Sequence, residues 1–120
     1  MERVELQRLR DGFRSYVQLA AADEAFEITY RGEAALVLMS LASWQLGADE
    51  AAVPADSIVD LAISEGRKLL GTRRIAAQRD AEHTRILWGY SGQPLAMLAP
   101  VSWARSTKAL SPLFDDTNPD

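Results

Sequence analysis

The chain contains no cysteine. Disulfides, thiol catalysis and cysteine-ligated metals are therefore excluded, and the composition suits a reducing cytoplasm. There is one histidine, His83. Without partner ligands it makes no transition-metal site, and a loop position is expected for it. Long apolar runs are also missing: none reaches the roughly 18 residues that span a bilayer. Met1 leads into Glu2 and Arg3 rather than an apolar leader, so a cytoplasmic protein without a membrane partner is expected. No Gly-rich phosphate cradle is visible, and no spacing of Ser, His and Asp suggests a catalytic triad. Neither enzymatic activity nor a cofactor is expected.

What is present is an ordinary soluble composition, 48% hydrophobic and 25% charged over 120 residues, enough for one domain or two very small ones. The order of that content repeats. Residues 26–41 read FEITYRGEAALVLMSL and residues 86–101 read ILWGYSGQPLAMLAPV. Gly32 and Gly92 anchor the match at half the chain length, whereas Leu9–Phe13 aligns with Gly66–Leu70 at a spacing shorter by three. That difference is expected in the loop before the strands, where insertions cost least. Two copies point to paired lobes sharing one core, because each half is about as small as the smallest units that fold alone.

Charge is distributed unevenly. Residues 1–47 carry a net −2, residues 48–62 carry −4, residues 63–109 carry +5 and residues 110–120 carry −3. The second repeat is thus a basic module between acidic segments. Such a pattern is either solvated surface or a face for a polyanion, with acidic flanks for another partner.

Periodicity places the elements. Leu6, Leu9, Phe13, Tyr16 or Val17, and Ala20 recur at helical spacing. Gly12 weakens that helix and suits a close approach. Phe26, Ile28 and Tyr30 alternate with Glu27, Thr29 and Arg31, the pattern of a half-buried strand. Arg31-Gly32 suits a tight hairpin, and 35–39 (ALVLM) reads as a strand buried on both faces. Ser40 is placed to cap a short helix ending near Gly47. Residues 48–57, small, acidic and interrupted by Pro54, read as a linker. Ser64 is expected to cap the next helix, which runs to about Gln78. Strands at 86–90 and 94–99 flank the turn at Ser91-Gly92. Trp44 and Trp103, each following a hairpin, read as core anchors.

The segment FEITYRGEAALVLMSLASW resembles the prevent-host-death (Phd/YefM) antitoxins: Ile-Thr, a basic residue with Gly, then an apolar strand ending in Met-Ser-Leu. ISEGRKLLG resembles the family's Ser-Glu-Ala-Arg signature, with Gly66 in place of Ala, and GQPLAMLAPV resembles its Gly-x-Pro-x-Ala-x-Leu-x-Pro stretch. The two repeats cover about residues 4–104. The resemblance implies an α+β fold in which two tandem Phd/YefM-like repeats form a pseudo-dimer, with a shared antiparallel sheet and flanking helices. Its divisions are a first repeat at 1–47, an acidic linker at 48–57, a basic second repeat at 58–105 and an acidic flexible tail at 106–120.

In that family, subunits pair through their sheets, their early helices grip operator DNA, and a carboxy-terminal extension wraps a toxin. Carried over, the DNA-facing residues are Arg8, Arg10 and Arg14 in the first repeat and Arg67, Lys68, Arg73 and Arg74 in the second. Any one of these arginines could instead brace the fold through an ion pair. The toxin contacts would be Leu110, Leu113, Phe114, Asp115 and Asp116, on a tail shorter than is usual. The implied function is an antitoxin that represses its own operon by binding duplex operator DNA and neutralises a toxin. The alternatives are a DNA-binding regulator without a toxin and a protein-interaction module without DNA binding. Self-association through the sheet is a further expectation.

Overall fold

The computed structural model describes residues 1–89 and 91–110. Strand β1 (Glu2–Glu5) leads into two short helices, α1 (Leu6–Asp11) and α2 (Phe13–Ala21). A hairpin of β2 (Phe26–Tyr30) and β3 (Glu33–Ser40) follows, and then helix α3 (Leu41–Glu50). After a 3₁₀ turn at Ala55–Ser57 the order recurs as β4 (Ile58–Ala62), α4 (Ile63–Lys68), α5 (Leu70–Asp80), β5 (His83–Trp88), β6 (Gln93–Pro100) and α6 (Val101–Ser106). A 3₁₀ turn at Lys108–Leu110 ends the described chain.

The strands form one mixed sheet in the order β1-β2-β3-β6-β5-β4. The sheet is not wholly antiparallel as expected, because β1–β2 and β4–β5 are parallel. Each of these pairs is joined by a helical crossover, which returns the chain in its original direction. Strand β1 escapes a periodicity reading because it is very short and buries only Val4.

The central contact is the antiparallel pair β3–β6, with Leu38 opposite Leu98. Both hairpins carry a register shift at matching places, Ile28/Thr29 and Ile86/Leu87. By register, Val4 matches Leu61, Ile28 matches Ile86 and Leu38 matches Leu98. The offset between the halves grows along that series, so the extra residues do not all precede the strands. One lies between β4 and β5. The others lengthen the second hairpin turn, which joins Trp88 to Gln93 where the first joins Tyr30 to Glu33.

Both faces of the sheet are covered. Leu36, Leu38, Ala96 and Leu98, with Phe26, Ile28 and Ile86, pack against Leu9, Phe13, Val17 and Leu70 of the α1, α2 and α5 helices. The alternate residues Val37, Met39, Met97 and Ala99 pack against Trp44, Ala104, Ala109 and Leu110 on the other side. Burial on two faces is why β3 is continuously apolar. It also corrects the half-buried reading of β2. Glu27 is only 8% exposed, and its carboxylate accepts from Arg3 Nε at 2.8 Å and from an Arg105 terminal nitrogen at 2.7 Å. The matching place in the second half holds the same pair with reversed polarity: Arg85 donates to Asp60.

Local chemistry sets the element ends. Arg31 and Gly32 both have positive φ (53° and 81°), as a two-residue hairpin turn requires. Ser40 Oγ accepts from the Ser43 N–H at 3.1 Å and donates to Asp23 at 2.6 Å, so the expected cap forms. Helix α3 runs past Gly47 to Glu50, so the linker is shorter than 48–57. The helix expected across the first repeat is broken at Gly12, and that of the second at Leu69. The second helical stretch begins at Ile63 behind Ala62, which offers no side-chain cap, so Ser64 lies inside it.

Candidate nucleic-acid interface

Helices α1, α2, α4 and α5 lie on one face of the sheet. Together they carry eight basic and three acidic side chains, a net +5 in a chain whose total is −4. The positive charge foreseen for the second repeat is thus pooled with that of the first in a single helical layer.

Within that layer the side chains have distinct settings. Arg67 Nε donates to the Arg10 carbonyl at 2.9 Å, which brings the carboxy-terminal ends of α1 and α4 together. Arg10 and Arg67 occupy matching places in the two halves. Arg14, Arg67 and Lys68 line one cleft of about 480 Å³ between the halves. Arg8 is exposed on α1. Among the described residues, Arg8, Arg14 and Lys68 make no ion pair, so their charge is available to an external anion. Arg74 lies apart from the cleft: its guanidinium stacks on Tyr30 at 3.9 Å from the ring centroid, and a terminal nitrogen donates to Gln78.

Arg73 does not belong to this surface. It is 8% exposed. Its Nε donates to Thr84 Oγ1 at 2.8 Å and a terminal nitrogen donates to Glu82 at 2.9 Å, which ties α5 to β5. The expectation that it faces DNA is corrected: the side chain points into the fold because its helix position falls on the sheet side, next to Leu70 and Ala77.

The expected toxin-binding residues divide. Leu110 is fully buried with Ala109 against α3, so it serves the chain's own core and is no free anchor. The chain reaches it by packing around Gly47, where an added Cβ would meet Thr107 and Trp103 at 2.6 Å and Ala109 at 2.9 Å. Leu113, Phe114, Asp115 and Asp116 lie outside the described residues.

His83 is likewise not a loop residue. It opens β5 and is 2% exposed. Trp44 Nε1 donates to its Nδ1 at 2.9 Å, and its ring sits edge-on to both Trp44 and Trp103. Nδ1 must then be the acceptor, which places the neutral imidazole's proton on Nε2. Burial pulls its pKa from 6.5 to about 4. Both tryptophans serve as the anchors the sequence suggested.

The surroundings of the basic group are not legible in the sequence. Trp88, at the end of β5, is 37% exposed and holds the Arg14 guanidinium 4.9 Å from its ring centroid. The only hint in the chain is an aromatic residue at a strand end beside Gly89, and nothing local connects it with Arg14 in the other half.

Guanidinium groups suit bidentate contact with phosphate, and an ammonium adds a mobile point charge. No protein-family model, curated protein or solved structure matches this chain.

Proposed function

We propose that this protein binds duplex DNA through its α1/α4 face, and that two tandem Phd/YefM-like repeats in one chain act as a pseudo-dimer. The observation that carries the reading is the juxtaposition of Arg10 and Arg67 at matching places on adjoining helices, beside unpaired Arg14 and Lys68. The recurring element order, the matched register shifts and the self-matching Leu38–Leu98 contact support the pseudo-dimer. Phosphate contacts from this face supply affinity, and any base contact supplies specificity.

The test is fluorescence anisotropy with the duplex upstream of the gene, titrated with salt. Each phosphate contact releases counterions, so the double variant Arg67→Ala/Lys68→Ala is expected to bind at least about tenfold more weakly and to lower the salt slope by about 2. Arg73 stays in place because it braces the fold. Equal affinities and slopes for wild type and variant reject the site.

As an antitoxin the protein also neutralises a toxin. What favours this is the motif resemblance and the acidic segment Asp49, Glu50 and Asp56 at the end of α3 and beyond, which would complement a basic partner and speed encounter. Copurification with the neighbouring gene product tests it. Truncation after Leu110 removes Leu113, Phe114, Asp115 and Asp116 and is expected to abolish capture. Capture undiminished by that truncation rejects these residues as the contact.

A further inference from the structure

The cleft beside α4 has more in it than a DNA backbone needs. Besides Arg14, Arg67 and Lys68 it is lined by Ser64, Trp88 and Gly89, and among the described residues no acidic one lines it. Its volume of about 480 Å³ falls within the range of small-molecule sites. One wall is therefore cationic and another is a half-open indole. Among the described residues Trp88 is one of the few large apolar side chains left exposed, and the Arg14 guanidinium lies 4.9 Å from its ring centroid. Arg67 spends only its Nε on the Arg10 carbonyl.

The first half provides an internal comparison. By the register match between the halves, Ala62 corresponds to Glu5, Lys68 to Asp11, and Trp88 to Tyr30. At the matching places the first half has two carboxylates, and Glu5 is occupied by a hydrogen bond from Thr29. Tyr30 also has cations at its ring, Arg74 at 3.9 Å and Arg31 at 5.1 Å, so the two sides differ in that the second replaces both carboxylates and carries the larger, indole surface. A contact surface that needed only to follow the DNA backbone gives no reason for an exposed indole in a cleft free of the first half's carboxylates.

We propose that this cleft is a site for a nucleotide unit: Arg67, Lys68 and the Ser64 hydroxyl take the phosphate, and the base stacks on Trp88, with Arg14 as the cation at the ring. Flat heteroaromatic rings stack on indole whatever their identity, whereas the phosphate is recognised by charge and hydrogen bonds. The unit has two sources, a free mononucleotide or an unpaired nucleotide of a nucleic-acid strand, and both present the same phosphate and base. The site shares Arg14, Arg67 and Lys68 with the proposed DNA face but does not rest on that reading, because Trp88 and Ser64 play no part in it.

The experiment follows the tryptophan indole N–H resonances of the full chain by NMR while AMP, adenosine, inorganic phosphate, a 5′-phosphorylated single-stranded trinucleotide and a blunt duplex are added separately. Trp44, buried, and Trp103, partly buried, lie on the opposite face and serve as internal references. AMP is expected to shift the Trp88 signal selectively and to bind more tightly than adenosine or phosphate. Trp88→Leu should weaken AMP about tenfold, the size of one base–aromatic stack, while leaving phosphate unchanged. Lys68→Gln, an exposed substitution that leaves the core untouched, should weaken AMP and phosphate alike. A trinucleotide at least about tenfold tighter than AMP identifies a strand as the source, and equal affinities identify the free nucleotide; either supports the site. No selective Trp88 shift with AMP or trinucleotide overturns it, as does equal loss of AMP and phosphate in Trp88→Leu when the Trp44 and Trp103 signals are unmoved. Blunt-duplex binding read on the same samples separates the two ideas: nucleotide binding without duplex binding rejects only the DNA face, and the reverse rejects only the cleft.

Discussion

His83 shows how a single residue's chemistry changes when the fold encloses it. Between two indoles it is neutral and serves as an acceptor, so protonation means both desolvating a charge and losing the Trp44 hydrogen bond. Its folded pKa, about 4, is depressed below the ordinary 6.5. In that interval the unfolded chain binds the extra proton, so the associated stability is present above 6.5 and is lost as pH falls toward 4. Between pH 7 and pH 5 this amounts to about 2 kcal/mol. Urea unfolding of wild type and His83→Gln at both pH values checks it. The wild type should lose more than the variant by that amount, because the carboxylate titrations common to both cancel in the difference. Parallel losses would show that His83 titrates alike in both states.

At the scale of elements, the closing 3₁₀ turn belongs to the fold. Trp103, Thr107 and Ala109 crowd onto α3 where Gly47 provides the space, and the Lys108 N–H donates to Glu50 at 2.7 Å. Truncation after Thr107 would remove Ala109 and Leu110, both fully buried. Deleting that much apolar core typically costs about 2–5 kcal/mol. The chain ending at Thr107 is therefore expected to melt well below the chain ending at Leu110, and circular-dichroism melts of the two compare them directly. Equal melting temperatures would mean that the turn contributes nothing. Only the truncation after Leu110 separates partner binding from stability. The same scale explains Arg73: helix periodicity sets it on the sheet-facing side of α5, but only the arrival of Thr84 and Glu82 on and before β5 gives it partners.

For the whole molecule, the decisive contact is β3 against β6, because it joins the two halves into one sheet and one core on each face. Cut between them, each half exposes a long apolar strand edge, the kind of edge that recruits another chain. Residues 1–50 and 58–120 expressed separately are expected to be unfolded or to self-associate, and mixing them should restore a one-to-one complex. Sedimentation of each fragment and of the mixture checks this. Two stable, monomeric fragments would overturn the shared core.

The local elements are legible from neighbouring residues alone. The Arg31-Gly32 turn, the Ser40 cap and the unbroken apolar run of β3 each follow from short-range sterics and periodicity, and all three appear in the structure. The gathering of positive charge in the second half is read from the sequence as well. Whatever depends on distant partners follows from how the elements pack. Strand β1 exists because it pairs with β2, on the far side of two helices. Arg73 turns inward, His83 is enclosed by Trp44 and Trp103, and Leu110 is drawn into the core through packing that no local window contains. The cleft likewise brings Arg14, Lys68 and Trp88 together from three elements. Local pattern fixes which way a side chain points from its own backbone, but only the packing of elements far apart in sequence fixes what it meets there.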